Sequence, residues 1–208
     1  MHVLVLGAAG RTGTQIVSQA LSHGHRVRAL VRSTPLEMVH EHLEVVTGDV
    51  MDFDSVSAAV AGVDTVISAL GSGGGRDVRV FSEGAGNVVH AMAVHEVSKL
   101  VVLSAAGVFA RSDPRLSLGF RAMIATVLKP VYDDLERMEQ RVAASGLDWT
   151  IIRPAGLSEG PLTGNYRVSL DGSLLSKANR VSRADVASAC LKAATTPVYS
   201  RATIVIAD

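Results

Sequence analysis

Short apolar runs recur along the chain, and segments in which apolar residues return at helical spacing separate most of them. The runs predict strands over residues 2–6, 26–31, 43–47, 64–69, 99–104, 149–153 and 202–206. The helical spacing predicts helices over residues 12–22, 54–61, 80–95, 132–145 and 184–194. The strand runs are almost wholly apolar, which is typical of strands covered on both faces. This alternation predicts an α/β protein with a doubly wound, mostly parallel open sheet.

The composition and charge narrow the class of protein. The chain has 208 residues, which suits a single domain with its own core. Its formal net charge is zero, which disfavours a nucleic-acid-binding surface. The single cysteine, Cys190, excludes an intramolecular disulfide and suits a reducing compartment. No apolar run approaches ~20 residues and no charged-then-apolar leader precedes the first strand, so we expect a cytoplasmic protein that does not enter a membrane.

Three glycines stand three residues apart after the first predicted strand, in the sequence GAAGRTG at residues 7–13. Gly7 allows a tight turn at the strand end, Gly10 lets a phosphate approach the backbone, and Gly13 lets the helix pack close to the sheet. The helix N-terminus offers free N–H groups and a positive dipole end to a pyrophosphate, and Thr12 adds a hydroxyl. The alternative is a glycine-rich turn without a ligand. The strand before the glycines and the helix after them favour a dinucleotide site.

The residues after the second predicted strand bear on the choice between NAD and NADP. An NAD-binding protein carries Asp or Glu about 20 residues past the glycines, where it binds the ribose 2′-hydroxyl. This chain has Arg32 and Ser33 there. A guanidinium binds a 2′-phosphate through two parallel hydrogen bonds, and Arg11 in the glycine loop is a second cation on the same side. We therefore expect NADP(H) as the cofactor. The alternative for Arg32 is a surface arginine at a strand end.

Small, polar or glycine residues also follow the other predicted strands. Because ligands of such sheets bind beyond the carboxyl ends of the strands, we expect these residues to line the cofactor site. They are Gly48, Asp49 and Val50; Ala69, Leu70 and Gly71; Ser104; and Pro154, Ala155 and Gly156. Asp52 or Asp54 is better placed than Asp49 to cap the following helix.

Five segments of the sequence resemble the NAD(P)H-binding atypical short-chain dehydrogenase/reductases, a group typified by biliverdin IXβ reductase/flavin reductase. They are GAAGRTG at 7–13, LVR at 30–32, GDV at 48–50, SEGAGNVVHAM at 82–92 and PLTGNYRVSLDG at 161–172. The resemblance implies a Rossmann fold and an NADPH-dependent reductase of flavins or similar planar acceptors. It also implies that Ser104 lies beside the nicotinamide. Ala155 departs from the pattern, because a member of the family has a substrate-facing histidine there, so the substrate can differ.

The sequence lacks the Y-x-x-x-K pair from which short-chain dehydrogenases generally protonate a carbonyl oxygen. The residues four positions after Tyr132, Tyr166 and Tyr199 are Glu136, Leu170 and Thr203. Ordinary carbonyl reduction is therefore disfavoured. A flavin accepts hydride more easily, because the charge spreads over the ring and solvent can protonate it. Ser104 and, more weakly, Tyr132 are the polar candidates for a place near the nicotinamide.

Residues 105–130 form a long connection after the fifth predicted strand. Apolar residues recur in it at helical spacing. They are Leu116, Phe120, Met123, Ile124, Val127 and Leu128. We interpret them as a lid over the nicotinamide or, alternatively, as a core helix or dimer face. We expect one domain over residues 1–208, with 105–130 and 156–180 as insertions on the substrate side, in a monomer or a homodimer.

Three further features are interpreted structurally. Cys190 lies on the apolar side of the last predicted helix, where we expect an inert core residue. The segment RADV at residues 183–186 resembles the family's start of that helix, and we expect it to have a structural rather than a catalytic role. His40 and His42 are interpreted as part of a solvated turn, so no metal site is expected.

Two functions of different classes remain open at this point. The first is an NADPH-dependent reductase that transfers hydride to a flavin or a similar planar acceptor. The alternative is a non-enzymatic NADP(H)-binding sensor or regulator on the same scaffold. An isomerase or epimerase that uses a bound cofactor ranks last, because the tyrosine–lysine pair is missing.

Overall fold

The computed structural model describes residues 1–33, 35–72, 78–110, 119, 122–123, 126–171, 175 and 180–208. The strands are β1 His2–Leu6, β2 Arg26–Val31, β3 Leu43–Thr47, β4 Thr65–Ser68, β5 Lys99–Leu103, β6 Asp148–Pro154, β7 Gly156–Ser158, β8 Arg167–Ser169, β9 Arg180–Ser182 and β10 Ala202–Ala207. The helices are α1 Arg11–Ser22, α2 Phe53–Val60, α3 Val80–Val94, α4 Gly107–Ala110, α5 Lys129–Ala143 and α6 Arg183–Thr195, with a 3₁₀ turn at Pro197–Tyr199.

Eight strands form one sheet in the order β3-β2-β1-β4-β5-β6-β10-β8. Every neighbouring pair is parallel except β10 and β8, which run antiparallel at one edge. Strands β7 and β9 form a separate parallel ribbon. The strand order reverses between β1 and β4, and the crevice at such a reversal is where open α/β sheets bind ligands. The predicted doubly wound, mostly parallel sheet is therefore confirmed.

Apolar side chains cover the sheet on both faces. Strand β1 shows this by alternation, because Val3 and Val5 belong to one core, and Leu4 and Leu6 to the other. Helices α1 and α6 pack on the first face, and α2, α3 and α5 pack on the second. Cys190 lies in the first core, fully buried, as the sequence predicts. No helix among the described residues combines the length and the hydropathy needed to cross a membrane.

The elements missed by the sequence prediction are short. Strands β7, β8 and β9 have three residues each, and α4 has four, so none is long enough to show a periodicity. The predicted strands and helices are all present, with ends shifted by up to three residues. The largest shift is at α5, which begins at Lys129 because Pro130 suits the first turn of a helix.

Candidate cofactor site

A cavity of about 390 Å³ lies at the carboxyl ends of β1, β2, β3 and β4, where the strand order reverses. Ten residues that the sequence assigns to a cofactor site line it. They are Gly7, Gly10, Arg32, Ser33, Gly48, Asp49, Val50, Ala69, Leu70 and Gly71. These residues come from the glycine loop after β1 and from the ends of β2, β3 and β4, so the fold brings together residues that lie up to 64 positions apart in the sequence.

Two of the three glycines are required by the packing of the loop itself. Gly7 has a φ of +72°, and a Cβ there would lie 2.5 Å from the carbonyl oxygen of Ala69. Gly13 is buried, and its Cβ would overlap the Gly7 carbonyl oxygen and lie 2.9 Å from the Cα of Ala8. Gly7 therefore seats the loop on the end of β4, and Gly13 lets α1 start directly beneath it, as the sequence predicts.

Gly10 has a different environment, because it lines the cavity. It is the N-cap of α1 in an extended conformation, with a φ of −75° that any residue can adopt. A Cβ there would have one close described neighbour, the Gly7 carbonyl oxygen at 3.1 Å. No side chain in the described part of the chain caps α1, so N–H groups of its first turn are available to an anion. Thr12, in that turn, is half-buried and lies outside the lining of the cavity.

The end of β2 presents a cation and a hydroxyl to the cavity. Arg32 and Ser33 are both exposed, and Arg32 and Asp49 are the charged residues that line the cavity. Asp49 follows β3, and its carboxylate accepts a hydrogen bond of 2.9 Å from the backbone N–H of Met51. The cavity is therefore bordered by one cationic and one anionic side chain.

The turn after β3 is held in place by α3. The amide of Asn87 donates a 2.9 Å hydrogen bond to the carbonyl oxygen of Val50. Gly84 allows the close approach, because a Cβ there would lie 2.9 Å from a methyl carbon of Val50. Asp52, rather than Asp49, caps α2 by accepting from the N–H of Ser55 at 3.1 Å. This confirms the predicted cap and leaves the carboxylate of Asp49 on the cavity.

Hydrogen bonds from Ser55 also affect the acidity of that capping residue. The side-chain and backbone hydrogen bonds from Ser55 hold the pKa of the Asp52 carboxyl below its ordinary value. An ionised carboxylate at the first turn of a helix is also stabilised by the helix dipole. Asp52 therefore has the structural role that its position predicts.

Ser104 follows β5 and is buried, with 9% of its surface exposed. Its backbone N–H donates to the carbonyl oxygen of Ile152, and the N–H of Ala106 donates to that of Pro154, so the chain stays paired with β6 beyond the end of β5. Its hydroxyl oxygen has no hydrogen-bond partner among the described residues. Leaving a buried hydroxyl without a partner costs about 1–3 kcal/mol.

Tyr132 reaches the same end of the sheet from α5. Its ring lies over the backbone of Gly107, where a Cβ would be 2.5 Å from the ring carbons Cε1 and Cζ. Gly107 follows Ser104 by three residues, so the two polar candidates named from the sequence meet the same loop. Neither Ser104 nor Tyr132 lines the described cavity.

The residues after β6 lie further along the same edge. Pro154 is buried, Ala155 is half-buried and Gly156 is exposed. The N–H of Ala155 donates to the carbonyl oxygen of Ile206 at 3.0 Å, which holds this strand end against β10. None of the three lines the cavity, and the same is true of Arg11, Thr12 and Gly13.

The predicted apolar stripe in residues 105–130 is described only in part. Met123 and Val127 are exposed, and Leu128 is half-buried. Leu116, Phe120 and Ile124 lie outside the described residues. The choice between a lid, a core helix and a dimer face therefore stays a prediction.

Glu159 is a charged residue near this site that the sequence prediction missed. It lies in the segment after β7, and its Oε1 pairs with the guanidinium groups of both Arg11 and Arg183. Arg11 is the first residue of α1, next to Gly10. The contact between Arg11 and Glu159 spans 148 positions, and no local pattern signals it.

Asp185 fixes the loop that follows Glu159. It is buried near the start of α6 and accepts hydrogen bonds from the backbone N–H groups of Thr163 at 2.9 Å and Gly164 at 2.7 Å. Ser182 caps α6 and also donates to this carboxylate at 2.7 Å. Burial opposes ionisation of Asp185, but these hydrogen bonds outweigh it and hold the pKa of the carboxyl below its ordinary value. Asp185 therefore has a structural role, in agreement with the expectation for residues 183–186.

The comparisons with known proteins agree with this geometry. The model of the NAD(P)H-binding family matches residues 7–197. An uncharacterized chloroplastic protein of Arabidopsis thaliana is 31% identical over 192 residues, which cover 83% of this chain and 65% of that protein. A Bacillus subtilis (strain 168) protein named as an uncharacterized sugar epimerase, YhfK, is 30% identical over 179 residues, which cover 82% of this chain and 79% of that protein.

Solved structures show the same fold at low sequence identity. A short-chain dehydrogenase/reductase of Veillonella parvula DSM 2008, in complex with NADP, has a TM-score of 0.82 and 18% identity, covering 100% of this chain and 94% of that one. A candidate NADH-flavin reductase of Streptococcus pneumoniae TIGR4 has a TM-score of 0.82 and 21% identity, covering 100% and 99%. The family match spans the strand ends, the glycine loop and the cavity described above: the chain belongs to the NAD(P)H-binding family.

Proposed function

We propose that the protein is an NADPH-dependent reductase that transfers hydride to a flavin or a similar planar acceptor. Its family supports an NAD(P)H-dependent oxidoreductase. One observation carries the proposal furthest: a single cavity joins Gly10, next to the uncapped start of α1, to the cation and hydroxyl at the end of β2. A pyrophosphate and a 2′-phosphate are the groups that this pair of features would bind.

The pyrophosphate and the adenosine half of the cofactor would bind to different parts of the cavity. The N–H groups at the start of α1 would bind the pyrophosphate, and Gly10 would leave it room. Arg32 and Ser33 would bind the 2′-phosphate through a charged pair of hydrogen bonds and a hydroxyl. The turn of Asp49 and Val50 would border the adenine. The fold similarity to a reductase solved with NADP is consistent with this choice of cofactor.

The reacting end would lie beyond β5. NADPH supplies a hydride when it is bound. The buried hydroxyl of Ser104 has no partner among the described residues, and it would orient the nicotinamide. The ring of Tyr132, on α5, would form one wall of the space in which the acceptor binds. Without a Y-x-x-x-K pair, solvent would protonate the acceptor, and a planar ring that spreads charge is the acceptor suited to that.

The acceptor is proposed to be a flavin or a similar planar ring, and the protein is proposed to be cytoplasmic. The candidate NADH-flavin reductase with the same fold supports a flavin-like acceptor. Ala155 supports some freedom in the acceptor, because a methyl group there presents no polar contact. The single, buried Cys190 supports a reducing compartment, and the cytoplasm remains the proposed location.

Cofactor titration combined with an oxidation assay tests the proposal. Calorimetry with NADPH and NADH should show tighter binding of NADPH, and equal or tighter binding of NADH would refute the cofactor assignment. NADPH oxidation should then be followed with and without a panel of flavins and quinones. Slow turnover with free flavin is expected. Tight NADPH binding without turnover on any acceptor would refute the reductase and favour the sensor.

A further inference from the structure

Three charged side chains join the glycine loop to the segment after β7. The Oε1 atom of Glu159 accepts from Arg183 at 2.6 Å and also from the guanidinium of Arg11. Arg183 is largely buried, with 14% of its side chain exposed, whereas Arg11 and Glu159 are 69% and 65% exposed. Arg183 is thus the fixed partner of the carboxylate, and Arg11 is the side chain with freedom to leave it.

The segment that carries Glu159 is held on α6. The hydroxyl of Ser182 donates to the carbonyl oxygen of Pro161 at 3.1 Å, and Asp185 binds the backbone of Thr163 and Gly164. Glu159 therefore presents its carboxylate from an anchored loop. A pairing between Glu159 and Arg11 consequently sets the direction of the arginine rather than that of the loop.

Arg11 is placed where a cation would strengthen pyrophosphate binding. It is the first residue of α1 and follows Gly10, which lines the cavity. Arg11 itself does not line the cavity, and its guanidinium lies on Glu159 instead. The guanidinium that the sequence assigns to the cofactor site is therefore paired with the carboxylate of Glu159.

We propose that Glu159 is a positioning residue that holds Arg11 away from the pyrophosphate and so weakens the binding of NADPH and NADH alike. The inference rests on the proposed cofactor site. Both cofactors carry the same pyrophosphate, so the effect does not distinguish them. Discrimination between them stays with Arg32 and Ser33.

The expected effect is modest, because the Arg11–Glu159 pair is exposed to solvent. Removing Glu159 should tighten the binding of both cofactors by about twofold to fivefold, the range of an exposed ion pair. The gain should shrink as ionic strength rises, since the charges involved are screened over about 8–10 Å at physiological salt.

The test compares Glu159→Gln with Glu44→Gln by calorimetric titration of NADPH and NADH at low and high salt. Glu44 is a matched control, because it is half exposed, pairs with Arg28 at 2.7 Å and does not line the cavity. Glu159→Gln should lower both dissociation constants by the same factor, with the NADPH:NADH ratio and the melting temperature of the free protein unchanged. Glu44→Gln should change neither constant.

The same substitution in an Arg11→Gln background shows whether Glu159 acts through Arg11. The gain should disappear there. An equal gain in both backgrounds, weaker binding in Glu159→Gln, or no difference from Glu44→Gln overturns the inference. Loss of all binding in Arg11→Gln also overturns it, because Arg11 would then already contact the cofactor. These outcomes leave the reductase proposal standing, whereas a wild-type protein that binds neither cofactor refutes both.

Discussion

Substitutions at two glycines of the same loop should have different effects, one on stability and the other on cofactor binding. Gly13→Ala is the variant that should lose stability. The added Cβ would overlap the Gly7 carbonyl oxygen and lie 2.9 Å from the Cα of Ala8. Both neighbours are backbone atoms that cannot rotate away, and overpacking of this kind costs about 1–3 kcal/mol or more. Alanine regains up to about 1 kcal/mol of helix propensity over glycine.

At the upper end of the overpacking range, Gly13→Ala should therefore lower the free energy of unfolding by about 2–3 kcal/mol. In a domain of this size this loss corresponds to a fall in melting temperature of about 4–12 °C. Thermal unfolding without cofactor, followed by circular dichroism, measures it. A melting temperature equal to that of the wild type would show that the loop relaxes freely, and the close packing of α1 under the loop would not be a constraint.

Gly10→Val should instead keep the fold and lose the cofactor. The backbone at Gly10 is extended, and its Cβ would meet one described neighbour, the Gly7 carbonyl oxygen at 3.1 Å. We expect a loss of stability of up to about 1 kcal/mol, the scale of an altered N-cap. The branched side chain would fill the pyrophosphate position, so calorimetry should detect no NADPH binding. Wild-type affinity in a normally folded variant would show that the glycine loop is only a turn.

Three further predictions concern the rest of the site. Arg32→Ala should lose about 1.5–3 kcal/mol of NADPH binding and little for NADH, and an equal loss for both by calorimetry would contradict the 2′-phosphate role. Ser104→Ala and Tyr132→Phe should each lower steady-state rates by less than the roughly 10²–10⁴-fold of a true proton donor, and a loss beyond about a thousandfold with intact cofactor affinity would reveal a dedicated acid. Burial opposes ionisation of Asp185, but its hydrogen bonds outweigh burial and hold the pKa of the carboxyl below its ordinary value. The stabilisation that Asp185 contributes is therefore present above the unfolded pKa of about 3.9, and it is lost as the pH falls through the pKa of the folded state. Asp185→Asn should therefore lower the free energy of unfolding by about 1–3 kcal/mol at neutral pH and by less in acid, and an equal loss at both in urea titrations would refute this.

The sheet could be predicted from the sequence because its main strands are short, mostly apolar runs that alternate with segments of helical spacing. Val3, Leu4, Val5 and Leu6 show why this works: both faces of β1 are covered, so the whole run is apolar. The same reasoning does not predict β8. That strand has three residues, begins with the exposed Arg167, and exists because β10 offers it an antiparallel edge. Its formation depends on tertiary pairing, which leaves no periodicity in so short a segment.

The lining of the cavity could be predicted for a different reason. Parallel strands end on one edge of the sheet, so local residues such as Gly10, Arg32 and Asp49 can be brought together by topology alone. Charge pairing between distant loops follows no such rule. The sequence therefore gives no indication that Arg11 is paired, although the fold places the carboxylate of Glu159 against it.

The environment of Arg11 depends on a chain of interactions that begins at α6. Ser182 and Asp185 form a helix cap whose spacing is visible in the sequence, but the cap also binds Thr163 and Gly164, which the spacing does not indicate. That second use of the carboxylate fixes the loop and thereby places Glu159. The net charge at the start of α1 is thus decided by a helix cap about 170 residues further along the chain. A substitution at Asp185 should consequently alter cofactor affinity as well as stability, although Asp185 itself is buried beside α6 and does not line the cavity.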